Sequence, residues 1–187
     1  GGSLNITGSG ATIFLNDDLT INDSSFDWDG VEDATTTINP GATLTINAND
    51  IEPAAGDSFD GTINVSGELR PNITGGWTMA GQLNLSSGDI VATQKITVDD
   101  GAVDVGLGTN LLDVPVDFVG AADLEVEENA ILDIADTVTF ASTATHRGDG
   151  RLRIGSTGEL RISASGNGAS NQDLEFENSG DLHIVYG

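Results

Sequence analysis

Pairs of apolar residues separated by a single residue recur along this chain, from Leu44 onward at a spacing close to 20. They stand at Leu4/Ile6, Ile13/Leu15, Leu19/Ile21, Leu44/Ile46, Ile63/Val65, Leu83/Leu85, Val103/Val105 and Leu124/Val126. From Leu44 the steps to Ile63, Leu83, Val103 and Leu124 are 19, 20, 20 and 21 residues, and Trp77 to Ile96 is another 19. Alternation over three to five residues marks a strand with one buried face, and no helical period is sustained anywhere. A unit of about 20 residues cannot bury its own apolar face and becomes stable only when stacked on a copy of itself. The turns between the pairs are small or polar: Asn39-Pro40-Gly41, Ser66-Gly67, Ser86-Ser87-Gly88, Asp99-Asp100-Gly101 and Thr157-Gly158. Such residues tolerate the tight or left-handed backbone of a corner.

These features predict an all-β chain folded as a single-stranded parallel β-solenoid (β-helix) of roughly eight or nine coils, a rod on the order of 40 Å long. The alternative is an antiparallel β-sandwich, which explains the alternation but not the spacing. Residues 1–187 read as one solenoid domain, irregular over 1–60 and more regular over 61–187. Three segments look alike: Asp123–Val126 with Leu132–Ile134, Arg151–Ile154 with Leu160–Ile162, and Asp173–Phe176 with Leu182–Ile184. The last two align at an offset of 22 residues, Gly158 over Gly180. That offset places Arg151 beside Asp173 and Arg153 beside Glu175, pairs of opposite charge on neighbouring strands.

The chain holds 30 acids against six Lys and Arg, a net charge of −24, with 25 Gly and no Cys. Up to residue 146 there are 24 acids and only Arg70 and Lys95; Arg147, Arg151, Arg153 and Arg161 all follow. Such acidity repels phosphate backbones and anionic lipid, so neither a nucleic-acid partner nor membrane insertion is expected. The missing Cys excludes a disulfide framework without assigning a compartment. The last strand, from Asp181, has no polar cap behind it, which points to a piece of a longer surface protein or to a subunit stacked end to end.

Thr36–Ile46, Gly81–Gly88 and Gly158-Glu159-Leu160-Arg161-Ile162 resemble the Gly-x-Leu-x-Ile repeats of bacterial surface β-helices, the passenger regions of autotransporters and filamentous-haemagglutinin-like adhesins. The resemblance is one of repeat style. It implies a secreted or cell-surface protein whose solenoid is a stalk or adhesive shaft, with host or cell-surface glycans and proteins as candidate partners. It carries over no catalytic residue.

Enzyme chemistry finds little to work with. A uronate lyase needs a cation and a base, and one Lys with Arg70 is a thin supply before residue 147. A glycoside hydrolase needs converging carboxylates, but Asp99 and Asp100 are adjacent and followed by Gly101, which reads as a corner. Only His146 and His183 offer a nucleophile-activating base, with no Gly-x-Ser-x-Gly elbow. The expectation is a non-enzymatic structural or adhesive segment. The alternative is a carbohydrate-binding or polysaccharide-degrading β-helix, with Trp28 and Trp77 lining its groove.

Three groups of residues are candidate sites. Asp27, Asp29, Glu32 and Asp33 surround Gly30 with oxygen ligands at a spacing that suits calcium, although they match no EF-hand loop. Arg147-Gly148-Asp149 is an integrin-type tripeptide in a segment, 136–150, that reads as a lengthened exposed loop. Asn5, Asn22, Asn64, Asn72 and Asn84 head Asn-x-Ser/Thr sequons and are candidate glycan acceptors. The competing reading of these asparagines is that Asn and Thr suit strand exteriors as stacked amide ladders.

Overall fold

The computed structural model describes residues 12–23, 26–27, 35–48, 51–52, 61–164 and 174–186. The first coil supplies β1 (Thr12–Leu15), β2 (Leu19–Asp23) and β3 (Phe26–Asp27). The second supplies β4 (Thr35–Ile38), β5 (Thr43–Ala48) and β6 (Ile51–Glu52). Three strands per coil then recur: β7 (Thr62–Val65), β8 (Glu68–Ile73) and β9 (Trp77–Met79), followed by β10 (Gln82–Leu85), β11 (Asp89–Val91) and β12 (Ile96–Asp99). The next two coils hold β13 (Ala102–Val105), β14 (Gly108–Asp113) and β15 (Val116–Val119), then β16 (Asp123–Val126), β17 (Ala130–Ile134) and β18 (Thr137–Phe140). The series closes with β19 (Thr145–Gly148), β20 (Arg151–Ile154), β21 (Glu159–Ala164), β22 (Glu175–Asn178) and β23 (Asp181–Tyr186).

From β7 to β21 every third strand lies on the same side, and β3 pairs with β6 in a separate two-stranded sheet. The first sheet runs β1-β4-β7-β10-β13-β16-β19, the second β2-β5-β8-β11-β14-β17-β20-β22, and the third β9-β12-β15-β18-β21-β23. Neighbours within each sheet are parallel, for example Leu83 opposite Ile63 on one side and Val103 on the other. This is a three-sided parallel β-solenoid, and the parallel pairing excludes the antiparallel sandwich. The strands make seven coils of three and a further coil in which β22 and β23 are described, close to the eight or nine expected.

Alternation explains the core. In β7, β10, β13 and β16 every second residue is buried, so Ile63, Leu83, Val103 and Leu124 form one apolar column along the first sheet. Leu44, Leu69, Ile90, Leu112, Ile134 and Ile154 form the column of the second sheet. Trp77, Ile96, Val116, Val138 and Leu160 form that of the third. Burying each such side chain contributes about 1.5–3 kcal/mol, which ties the coils together across distances no single coil could bridge.

Corners are as specific as columns. A Cβ at Gly88 would lie 2.2 Å from the Val65 carbonyl oxygen of the coil beneath, closer than any side chain tolerates. The polar turn residues Ser87, Asp100 and Asn129 take positive φ, at 56°, 58° and 65°. Asp100 therefore turns a corner, where its Oδ1 accepts the Ala121 N–H at 2.6 Å.

Four expectations are corrected by the strands and their register. The step from Leu44 to Ile63 is no coil: Leu44 belongs to the second sheet and Ile63 to the first. Likewise Asp123–Ile134 spans the first and second sheets, whereas Arg151–Ile162 spans the second and third. A corner of either kind has the same apolar-turn-apolar signature, so likeness of sequence does not identify the side. The offset of 22 holds in the third sheet, with Leu160 opposite Leu182, but is 24 in the second, where Arg151 faces Glu175 and Arg153 faces Glu177. Asp173 lies outside the described residues. Finally, 136–150 does not bulge as a loop: it forms β18 and β19, and β19 is not announced in the sequence because its one buried residue is His146, with only the small Ala144 buried before it.

Candidate functional site

The outer surface of the solenoid is where its polar chemistry lies, and stacking puts like positions of successive coils side by side. Asn22, Asn47 and Asn72 occupy one outward row of the second sheet. The Asn47 amide donates to Asn22 Oδ1 at 2.8 Å, and the Asn72 amide donates to Asn47 Oδ1 at 3.0 Å. On the first sheet the Asn84 amide donates to Asn64 Oδ1 at 2.7 Å, and the Asn64 amide donates to Thr37 Oγ1 at 3.3 Å. Gln82 extends this ladder by donating to Asn84 Oδ1 at 2.9 Å and to Asp104 Oδ2 at 2.7 Å. Asn22, Asn64, Asn72 and Asn84 are thus members of axial amide ladders; Asn5 lies outside the described residues.

Toward the C-terminal end the ladders become ionic. The Arg147 guanidinium pairs with Asp123 at 2.8 Å and Glu125 at 2.7 Å on β16, the strand beneath its own. Arg151 reaches up to Glu175 at 2.8 Å, while Arg153 reaches down in a two-pronged pair with Asp133. Arg161 pairs with Glu159 at 2.8 Å, and His183 stands 3.2 Å from that same carboxylate. Its hydrogen bond to Arg161 holds the Glu159 carboxyl below the usual range. Lys95 pairs with Asp117 at 2.7 Å and Arg70 with Glu68. All six cationic side chains of the chain are therefore engaged by acids.

The remaining acids crowd one another. Burial, Glu68 and Asp133 together push the Asp89 carboxyl above its ordinary value. Burial also raises Asp104, with the Gln82 hydrogen bond opposing it. The surface has shallow concavities rather than a deep cleft at these places. One groove of about 350 Å³ is lined by Glu128, Asn129, Asp149, Arg151 and Glu175.

Arg147 and Gly148 sit in β19 and only Asp149 follows in an exposed turn. Gly148 has φ 124°, and a Cβ there would lie 1.9 Å from the Val126 carbonyl oxygen, so its place in the tripeptide is dictated by stacking. Asp27 lies in β3, while Asp29, Glu32 and Asp33 are outside the described residues, as is Trp28. Trp77 is in the core at 4 % exposure and so does not line a groove. No group of three or more His, Asp or Glu with metal-holding geometry occurs among the described residues.

Sequence reasoning missed Asn110, which is fully buried at an inward position. Its Oδ1 accepts the Gly88 N–H at 3.1 Å, and its amide donates to the carbonyl oxygens of Gly106 at 3.1 Å and Ile131 at 3.4 Å. The signal was present as a polar residue where Leu132 and Leu152 stand in the next two coils.

The fold and its outer ladders define a class, the three-sided parallel β-solenoids. Compared with family models, curated proteins and solved structures, the chain matches none.

Proposed function

We propose that this chain is a non-enzymatic, extracellular structural or adhesive segment of a cell-surface protein or filament, in the manner of autotransporter passengers and filamentous-haemagglutinin-like adhesins. The observation that carries the proposal is the axial direction of its polar bonding. Amide ladders and ion pairs run from coil to coil, so the outward polar groups stiffen a rod instead of converging on a substrate. Further coils, or neighbouring subunits stacked end to end, are the partners this reading names. Its support is Phe176, Leu182 and Ile184, which hold inward positions on β22 and β23 yet are 42 %, 38 % and 49 % exposed.

Surface topology tests the proposal directly. An antibody raised against this chain is expected to label intact producing cells, and external protease to remove the label. Labelling that needs permeabilised cells overturns the extracellular assignment.

A further inference from the structure

His146 stands at an inward position of β19, directly above Leu124, and is the last described member of the column Ile63–Leu83–Val103–Leu124 of the first sheet. The side chain is buried at 6 % exposure, and among the described residues nothing hydrogen-bonds its Nδ1. Its neighbours are aromatic. The Phe140 ring lies 5.1 Å away at 48°, and the Phe176 ring 6.5 Å away edge-on. Phe118 stacks beneath Phe140 at 4.6 Å, so an aromatic column Phe118–Phe140–His146–Phe176 leads out of the core into the last described coil.

We propose that His146 is a proton-operated latch: at neutral pH its uncharged ring seats the coil formed by β22 and β23, and acidification loosens that coil from the one beneath. An imidazolium in this slot has aromatic faces and no acceptor at Nδ1, whereas lifting β22 admits water to it. Burying an unpaired charge costs far more than burying a neutral ring. The coil above buries its inward side chains only in part. Among the described residues it is held on one side only, and Phe176, Leu182 and Ile184 already meet solvent. Local openings follow such weakly buried elements.

The charged surroundings do not supply the missing partner. From β16, Asp123 and Glu125 face the neighbourhood but are drawn outward by Arg147, and Asp123 also accepts from Thr145 Oγ1. From β22, Glu175 and Glu177 are drawn to Arg151 of β20. β18 presents Thr137 and Thr139 and no titratable group. Arg147 on the histidine's own strand adds a like charge.

Burial pushes the His146 pKa below its ordinary value, with Asp123 opposing. The unfolded chain therefore binds the proton first. The latch is fully closed above the ordinary histidine value of about 6.5 and weakens as pH falls below it, about tenfold for each unit of depression.

Hydrogen exchange of the whole protein at pH 7.5 and 5.5, corrected for intrinsic rates, tests the latch. Protection of residues 174–186 is expected to fall several-fold, up to about tenfold, at the lower pH, while residues 77–140 stay protected. His146→Leu is expected to remove the difference. Equal pH dependence in His146→Leu, or protection unchanged between the two pH values, overturns the proposal. Should the variant fail to fold, the proton titration of His146 in the native protein decides, with His183→Ala assigning the resonances. A His146 pKa at or above the ordinary value overturns the latch; a depressed one supports it.

Discussion

Two buried polar residues in the first and second sheets show how differently a solenoid core treats a hydroxyl and an amide. Thr36 stands at an inward position opposite Ile63, 2 % exposed, and no described residue hydrogen-bonds its hydroxyl. An unsatisfied buried hydroxyl costs about 1–3 kcal/mol, so Thr36→Val is expected to raise stability by about 1 kcal/mol. A higher denaturation midpoint at unchanged slope is the readout. Asn110 is the opposite case, since each of its polar atoms is bonded to backbone. Asn110→Leu would continue the Leu132–Leu152 column but remove the acceptor of the Gly88 N–H and the donor to the carbonyl oxygens of Gly106, Gly108 and Ile131. It is expected to cost about 2 kcal/mol or more in the same assay.

Strands behave as rungs, and the ladders belong to pairs of them. Asn47 heads no sequon, yet it bonds to Asn22 on one side and Asn72 on the other. Asn47→Ala should therefore destabilise the rod by about 1–2 kcal/mol, one hydrogen bond's worth per neighbour. A neutral result in thermal unfolding would leave the sequons of Asn22 and Asn72 without this structural explanation. Much of this level was legible in the sequence. Period-two alternation marked β7, β10, β13 and β16, and the steps of 20, 20 and 21 residues are their true register. Three things were not legible, each for a physical reason. Which side a strand occupies was hidden because all corners use the same small and polar residues. The strand at Thr145–Gly148 was hidden because its inward residue is a histidine beside a small Ala144. Asn110 was hidden because its bonds to Gly88 and Ile131 reach backbone atoms of the neighbouring coils, 22 and 21 residues away, which no local pattern reports. The tripeptide at 147–149 shows the converse: a motif legible in sequence whose first two residues are held by β16.

A stack of coils also accumulates charge along its axis, and the rod's length makes that a property of the whole molecule. Acids outnumber cations by 24, and each of the six cations already serves an acid, so the excess repels itself along the axis. At 0.15 M salt that repulsion is screened beyond about 8 Å, a distance that spans more than one strand spacing of about 4.8 Å. Lowering the salt should therefore lower the melting temperature, and raising it should restore it, whereas a molecule held chiefly by its exposed ion pairs would respond in the opposite sense. Asp89 isolates the effect at one point. Its carboxyl is raised by burial and by Glu68 and Asp133, so the folded state holds its proton more tightly than the unfolded chain. Above both values the ionised group opposes folding, and as pH falls through the raised value that opposition disappears. Asp89→Asn should thus melt higher than the native chain at pH 7, with the advantage shrinking toward pH 4. Parallel melts of the two proteins across that range, at low and high salt, check both the sign and the screening. An advantage independent of pH would trace the gain to packing and not to charge.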